Sequence, residues 1–271
     1  MPPSTVGAVI LLGWMSKDSA VNYLREWCFF DPALSADQAE ELWNTYRARV
    51  EALPERILKP IVRFPVPAQH RQLVNSFLAR LRGPEVLDVL NINPMELVVY
   101  QTYVVTDRSD HHEQQPGDWA RKFIVADRQG AQLPIQQDAA GGLRIGLPHA
   151  EHIIALQPDG AFRIQQTAGF VSVSEINGRL FLKAGYHRSF AFSRCVMNSP
   201  DANDKLALVV LTRTLPPQLS PAFPDQGLRT MVLGSRPPLL ADFFDADLAM
   251  TVRLRKKRWE THIRIVAVDD P

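Results

Sequence analysis

The chain carries its densest chemistry in five consecutive residues, Gly185-Tyr186-His187-Arg188-Ser189. They follow Arg179-Leu180-Phe181-Leu182-Lys183-Ala184, which reads as a strand, and they open a segment that reads as a helix. A strand that passes through glycine directly into a helix gathers the unbonded N–H groups of the first turn and the positive end of the helix dipole at one point. Gly185 permits close approach, His187 and Arg188 are donors, Ser189 supplies a hydroxyl, and Tyr186 stands among them. The set is an anion cradle of the size of a phosphate. The same spacing also fits an ordinary strand-to-helix connection, with His187 and Arg188 bonded to nearby carboxylates or carbonyls.

Two other groups of residues suggest different chemistry. Asp110-His111-His112-Glu113 and His149-Ala150-Glu151-His152 contain imidazole and carboxylate ligands that could share one divalent ion, although polar loops also collect such residues. Arg253, Arg255, Lys256, Lys257 and Arg258 beside Trp259 form a basic run that could hold a nucleic-acid backbone while the indole stacks on a base. The plainer reading is a solvated turn between two strands, whose cations discourage edge pairing. Walker-type, dinucleotide-binding, serine-elbow and paired-cysteine zinc signatures are all missing from the sequence.

The elements that must position these residues change character along the chain. Residues 16–90 read as helical. Ser35 with Gln38 forms a capping box ahead of Ala39, Leu42, Trp43, Tyr46 and Val50 at helical spacing. Further helices are expected over 18–28 and 68–81, the latter stopped by Gly83-Pro84, and three amphipathic helices would make a small bundle. Trp14, Trp27, Trp43, Tyr23 and Tyr46 belong to this part and read as its core. From residue 94 onward short β-branched and aromatic runs take over, among them Leu97-Val98-Val99-Tyr100 and Tyr103-Val104-Val105. Asp159-Gly160 and Asn177-Gly178 each lie between apolar runs and predict tight hairpins. A buried strand over 206–211, a proline-rich loop over 215–224 and a final pair of strands over 250–254 and 261–266 complete the pattern. The expected organisation is α+β, with a helical region over 1–93 and a mixed, largely antiparallel sheet domain over 94–271.

Composition narrows the partners. In 271 residues, 30 Lys and Arg balance 29 Asp and Glu, so polyanion binding has to come from a local patch. Cys28 and Cys195 lie far apart among apolar neighbours, the setting of reduced, buried thiols and of a cytoplasmic location. The apolar run over 6–14 is short and broken by glycine, which argues against a signal peptide, a membrane span or a membrane partner.

The unit around Gly185-Tyr186-His187-Arg188, with Ala191 as the small residue three positions on, resembles the phosphate-binding box of the ParB/sulfiredoxin-like superfamily. The resemblance covers roughly residues 170–195, including the strand pair joined by Asn177-Gly178. It implies a nucleotide, ATP or CTP, held near Gly185, His187 and Arg188, with magnesium as its companion ion. Tyr186 stands where sulfiredoxins carry a reactive cysteine and partition proteins a carboxylate, and Ala184 stands where free-serine kinases carry Asp. Glu96 and Glu175 are the candidates for a base. The expected function is nucleotide-phosphate binding, with phosphoryl transfer or hydrolysis left open. The alternatives are a protein-interaction protein docking through its helical region, or a nucleic-acid-binding protein, DNA-binding included, that uses residues 253–259.

Overall fold

The computed structural model describes residues 5–56, 60–80, 86–106, 135–137, 143–145, 152–156, 162–166, 170–176, 178–213 and 233–255. In chain order the strands are β1 (Thr5–Ile10), β2 (Val86–Ile92), β3 (Tyr103–Val105), β4 (Ile135–Gln137), β5 (Leu143–Ile145), β6 (His152–Leu156), β7 (Phe162–Gln166), β8 (Ser172–Ile176), β9 (Arg179–Ala184), β10 (Ala207–Thr212) and β11 (Met250–Arg255). The helices are α1 (Lys17–Glu26), α2 (Ala36–Ala52), α3 (Ala68–Arg80) and α4 (Tyr186–Val196). The class is α+β, as the sequence implies. The chain forms two compact units, Met1–Ala126 with Phe170–Lys256, and Asp127–Gly169 with Lys257–Pro271. The helical region therefore shares a unit with the strands that follow it, where the sequence suggested a boundary at 93.

The apolar run over 6–14 is a central strand and the 3-10 turn after it. β1 pairs antiparallel with β11 on one side and β3 on the other. Both of its faces are covered: Ala8 and Ile10 enter one core with Val252 and Leu254, while Val9 and Leu11 enter another with Val104 and Trp14. That double burial makes the run continuously apolar instead of alternating.

α1 and α2 cover the first of these faces. Ser16 caps α1 by accepting from the Ser19 N–H at 3.3 Å, and the Ser35–Gln38 capping box closes at 3.1 and 2.9 Å. The face of α2 expected from spacing is the one that packs, with Ala39 and Val50 buried and Leu42, Trp43 and Tyr46 partly so. Gly13, in the 3-10 turn, lies directly against the α2 backbone: an added Cβ would land on the Tyr46 carbonyl group, 2.7 Å from its carbon, and 2.8 Å from Val50 Cγ2.

The second sheet of this unit has the order β2-β10-β8-β9, with β10 antiparallel to β2 and parallel to β8. β10 is buried on both faces, Val209 and Leu211 toward the core shared with β9 and α4, Leu208 and Val210 toward α3. α3 packs there through Val74 and Phe77, so the three expected helices do not form a bundle: α1 and α2 serve one sheet and α3 the other. β2, read as helical from sequence, is a strand because its run of Val86, Val89 and Leu90 fits both periods and the fully buried β10 supplies its partner. Beyond β9 the sheet is continued by residues 97–99. The Val98 N–H donates to the Leu180 carbonyl at 3.0 Å and its carbonyl accepts from Leu182 at 2.9 Å, while Val99 and Leu97 bond to Pro238 and Leu240.

β8 and β9 form the hairpin expected around 177–178, with Ile176 opposite Arg179 and Gly178 at φ +73°; Asn177 lies outside the described residues. In the second unit β4 pairs with β5, and β6 with β7 in the register Leu156 opposite Phe162. Asp159-Gly160, the segment 215–224 and the strand expected over 261–266 lie outside the described residues.

Both cysteines are free thiols, but only Cys28 is buried; Cys195 is exposed on α4, although its neighbours Phe192 and Val196 are buried. Trp27 is likewise 37% exposed and not a core aromatic. Burial pushes the Cys28 thiol up to about 12 from the ordinary 9.0, against a smaller downward pull from Arg255. One thiol is therefore expected to react with a disulfide reagent at pH 8 in the native protein, and two after unfolding. The raised value also has a sign. The folded state keeps a proton that the unfolded chain releases above about pH 9, so this contribution is present below pH 9 and lost as pH rises toward 12. Burial raises Tyr23 in the same direction. Denaturant midpoints that stay level from pH 8 to 11 would contradict it.

Among the described residues no helix is long and apolar enough to cross a membrane.

Candidate functional site

β9 ends at Ala184, and Gly185 turns the chain into α4 with φ +95°, a left-handed conformation that side-chain-bearing residues rarely adopt. A Cβ there would also meet Val171 Cγ2 at 2.7 Å and its Cα at 3.1 Å. Glycine is thus fixed at this position by backbone conformation and by close packing together. α4 has no side-chain cap at Gly185.

The tyrosine after the glycine turns inward. Tyr186 is buried, its hydroxyl donates to the Leu182 carbonyl and accepts from the Tyr100 N–H at 3.3 Å. Tyr100 stacks edge-on against it at 5.6 Å and donates its own hydroxyl to the Lys183 carbonyl at 2.9 Å. Desolvation raises both phenols, so they remain protonated donors at neutral pH. This pair stitches the start of α4 to the segment that extends the sheet.

His187 makes a second stitch. Its Nδ1 accepts from the Val105 N–H at 2.9 Å, on the outer edge of β3. An imidazole nitrogen that accepts is unprotonated, which leaves Nε2 as the ring's N–H. The ring also lies 6.2 Å from that of Tyr103. Arg188 is half-buried in the first turn.

Ser189 departs from its expected role. Its N–H donates to the Gly185 carbonyl at 2.8 Å, and its Oγ is fully buried with no partner, as is Ser193 Oγ one turn later. The helical period turns position 189 toward the core, so Ser189 offers no hydroxyl to an anion at the surface. Of the expected cradle, Gly185, His187 and Arg188 are half-buried, and Tyr186 and Ser189 are buried.

The candidate bases lie elsewhere. Glu175 pairs with Arg63 at 2.8 Å and sits opposite Leu180, about 10 Å along β8 from the Ser172 that faces Ala184. Glu96 accepts from Asn93 at 3.4 Å in the turn before residue 97. His111, His112 and His149 lie outside the described residues, and His152 begins β6 in the second unit. Among the described residues no three His, Cys, Asp or Glu side chains come together as metal ligands. Arg253 and Arg255 lie on β11, the opposite edge strand of the sheet whose β3 edge takes the His187 contact; Lys256, Lys257, Arg258 and Trp259 lie outside the described residues. Two clefts of about 560 and 420 Å³, lined by Met15, Trp43 and Arg47 and by Phe64, His70 and Asn91, include none of residues 185–189.

Tyr100 and Val105 are parts of this site that motif reading missed. Both lie in apolar, aromatic runs that signal only strand, and their role arises from where residues 97–105 dock.

The chain matches no family model, no curated protein and no solved structure.

Proposed function

We propose that this protein binds a nucleotide through its phosphates at the start of α4, without turning it over. The observation that carries the reading is the Gly185 turn at φ +95°, which delivers an eleven-residue helix that has no capping side chain and carries His187 and Arg188 in its first turn. A helix start of this kind favours negative charge through its N–H groups and dipole. His187 contributes Nε2–H from a ring fixed by Val105, and Arg188 contributes a guanidinium suited to bidentate contact with phosphate oxygens. Binding without turnover is favoured because Tyr186 is committed to Leu182 and Tyr100, and Glu175 to Arg63.

Thermal melting of the full chain against millimolar ATP, CTP and other nucleotides, with and without magnesium, tests the reading. A bound nucleotide raises the melting temperature with its occupancy. Arg188→Ala is expected to weaken that binding roughly ten- to a hundredfold, the loss of one charge-assisted contact. Ser189→Ala removes a buried hydroxyl that has no partner, and should leave both affinity and stability unchanged or slightly improved. A melting temperature that no nucleotide moves would reduce the α4 start to a purely structural turn.

A further inference from the structure

The face of β2 and β10 that packs on α3 ends in a cleft of about 420 Å³. Phe64 bridges antiparallel to Asn91, and Asn91 stands opposite Leu208, so these three side chains form one row across the sheet. Two residues along, the row of Val89 opposite Val210 is covered by Val74 and Phe77 of α3. The helix begins only at Ala68, and its first turn, through Gln69 and His70, lines the cleft beside the Phe64 row. The opposite wall is the 3-10 turn Ala202–Lys205 with Leu206 after it. Asp201 fixes that turn by accepting from the Asn203 N–H at 2.8 Å.

The polar groups of this cleft are acceptors without donors. Asn91 is only 5% exposed. Its Nδ2 donates to the Pro65 carbonyl at 3.0 Å, which fixes the amide, and its Oδ1 takes no hydrogen bond among the described residues. An oxygen so deeply placed is costly to leave without a donor. Asp204 accepts from the Ser199 hydroxyl on Oδ2 at 2.6 Å and forms no ion pair among the described residues. No lysine or arginine lines the cleft: Arg63 pairs with Glu175, and Arg71 donates to the Val66 carbonyl at 3.4 Å. With His70 neutral, Asp204 is therefore the one full charge on the lining. The remaining surface is apolar, including the ring of Phe64, which is 41% exposed, and two prolines.

We propose that this cleft binds a small protonated amine with an apolar body, its N–H donors going to the Asp204 carboxylate and Asn91 Oδ1 and its body resting against Phe64 and Leu206. The volume is of the order of known small-molecule sites, about 300–1,000 Å³. An ammonium group brings the donors and the positive charge that this lining lacks, and an aromatic ring beside it attracts a cation further. An anionic ligand would meet a carboxylate with no lysine or arginine to offset it. The cleft includes none of residues 185–189, and the proposal does not depend on nucleotide binding there.

Chemical-shift titration of the nitrogen-15-labelled full chain with phenethylamine, 2-phenylethanol and phenylacetate, three compounds that share a ring and differ in charge, tests the proposal. Phenethylamine at millimolar concentration is expected to give saturable shifts at the Asn91 side-chain amide and at the backbone N–H groups of Phe64 and His70. The alcohol should bind about tenfold more weakly, and phenylacetate should give no saturable shift. Asp204→Asn, at an exposed position, should weaken the amine about tenfold and bring it to the level of the alcohol. Phe64→Leu should weaken it several-fold, and Phe64→Tyr, which keeps a ring, should not. Melting curves show whether each variant is folded, and the comparison of the three compounds on the unmodified chain decides the matter if one is not. No saturable shift with phenethylamine overturns the proposal. So does equal binding of amine and alcohol, preference for phenylacetate, or shifts that leave Phe64, His70 and Asn91 unmoved.

Discussion

Asp242→Ala is expected to destabilise the protein by about 3–5 kcal/mol, the usual result of removing one partner of a buried pair. The Arg56 guanidinium meets the Asp242 carboxylate with two parallel contacts, Nη1 to Oδ2 at 2.6 Å and Nη2 to Oδ1 at 2.7 Å. Asp242 retains only 6% of its side-chain exposure and Arg56 18%. Each partner also has backbone obligations: Arg56 Nη1 donates to the Pro237 carbonyl at 2.8 Å, and Asp242 Oδ2 accepts from the Leu239 N–H at 2.7 Å. Trp14 lies beneath the guanidinium at 5.9 Å and sends its indole N–H to the Arg236 carbonyl. The pair thus ties residues 53–56 to residues 235–242, the same segment that closes the sheet beside Val99. Removing Asp242 alone leaves a largely buried cation and an unpaired backbone N–H. Replacing both charges together, as Arg56→Met with Asp242→Leu, should recover a large part of the loss. Urea unfolding of the single and double variants measures this. A double variant no better than the single would show that the charge left behind is not the cause.

Gly13→Ala should be almost as damaging for a different reason. The obstruction is main chain and not the end of a flexible side chain: the new methyl group would sit on the Tyr46 carbonyl, with Val50 Cγ2 at 2.8 Å. α2 would have to lift from the sheet, and its packing on β1 would loosen along the helix. Overpacking of this kind typically costs about 1–3 kcal/mol, more where backbone must move. The expected result is a lower urea midpoint with weaker near-ultraviolet dichroism from Trp14 and Trp43, both near the contact. An alanine variant as stable as the parent would mean that α2 is free to shift there.

The sequence made the local elements readable wherever a signal was self-contained. The Ser35–Gln38 box, the Gly178 hairpin and the strand at 207–212 could each be recognised from a few adjacent residues. β1 and β2 could not, because a short apolar run is a strand only by virtue of the partners that bury it, and those partners, β11 and β10, are more than a hundred residues away. The candidate site was legible to the same extent. Gly185 announced a turn from strand into helix, and the turn is there, in a left-handed conformation that the reading did not specify. The direction of each neighbouring side chain depends on the docking of residues 97–105, so Tyr186, His187 and Ser189 resolve into a hydroxyl hub, a strand contact and a buried hydroxyl that adjacent sequence cannot distinguish.

The pairing of β1 with β11 sets a timetable for synthesis. Thr5 lies opposite Arg255, so β1 cannot complete its sheet until β11, at Met250–Arg255, has followed it out of the ribosome. At roughly 5–20 residues per second that interval is about 12–50 s. Throughout it a β-branched segment meant for burial on both faces has one edge without its partner, the condition in which strands recruit other chains. β3 emerges much earlier and can hold the other edge in the meantime. Nascent chains arrested before residue 250 should therefore be bound by chaperones and prone to aggregate, while release of β11 should mark the point at which α1 and α2 gain a finished surface to close upon.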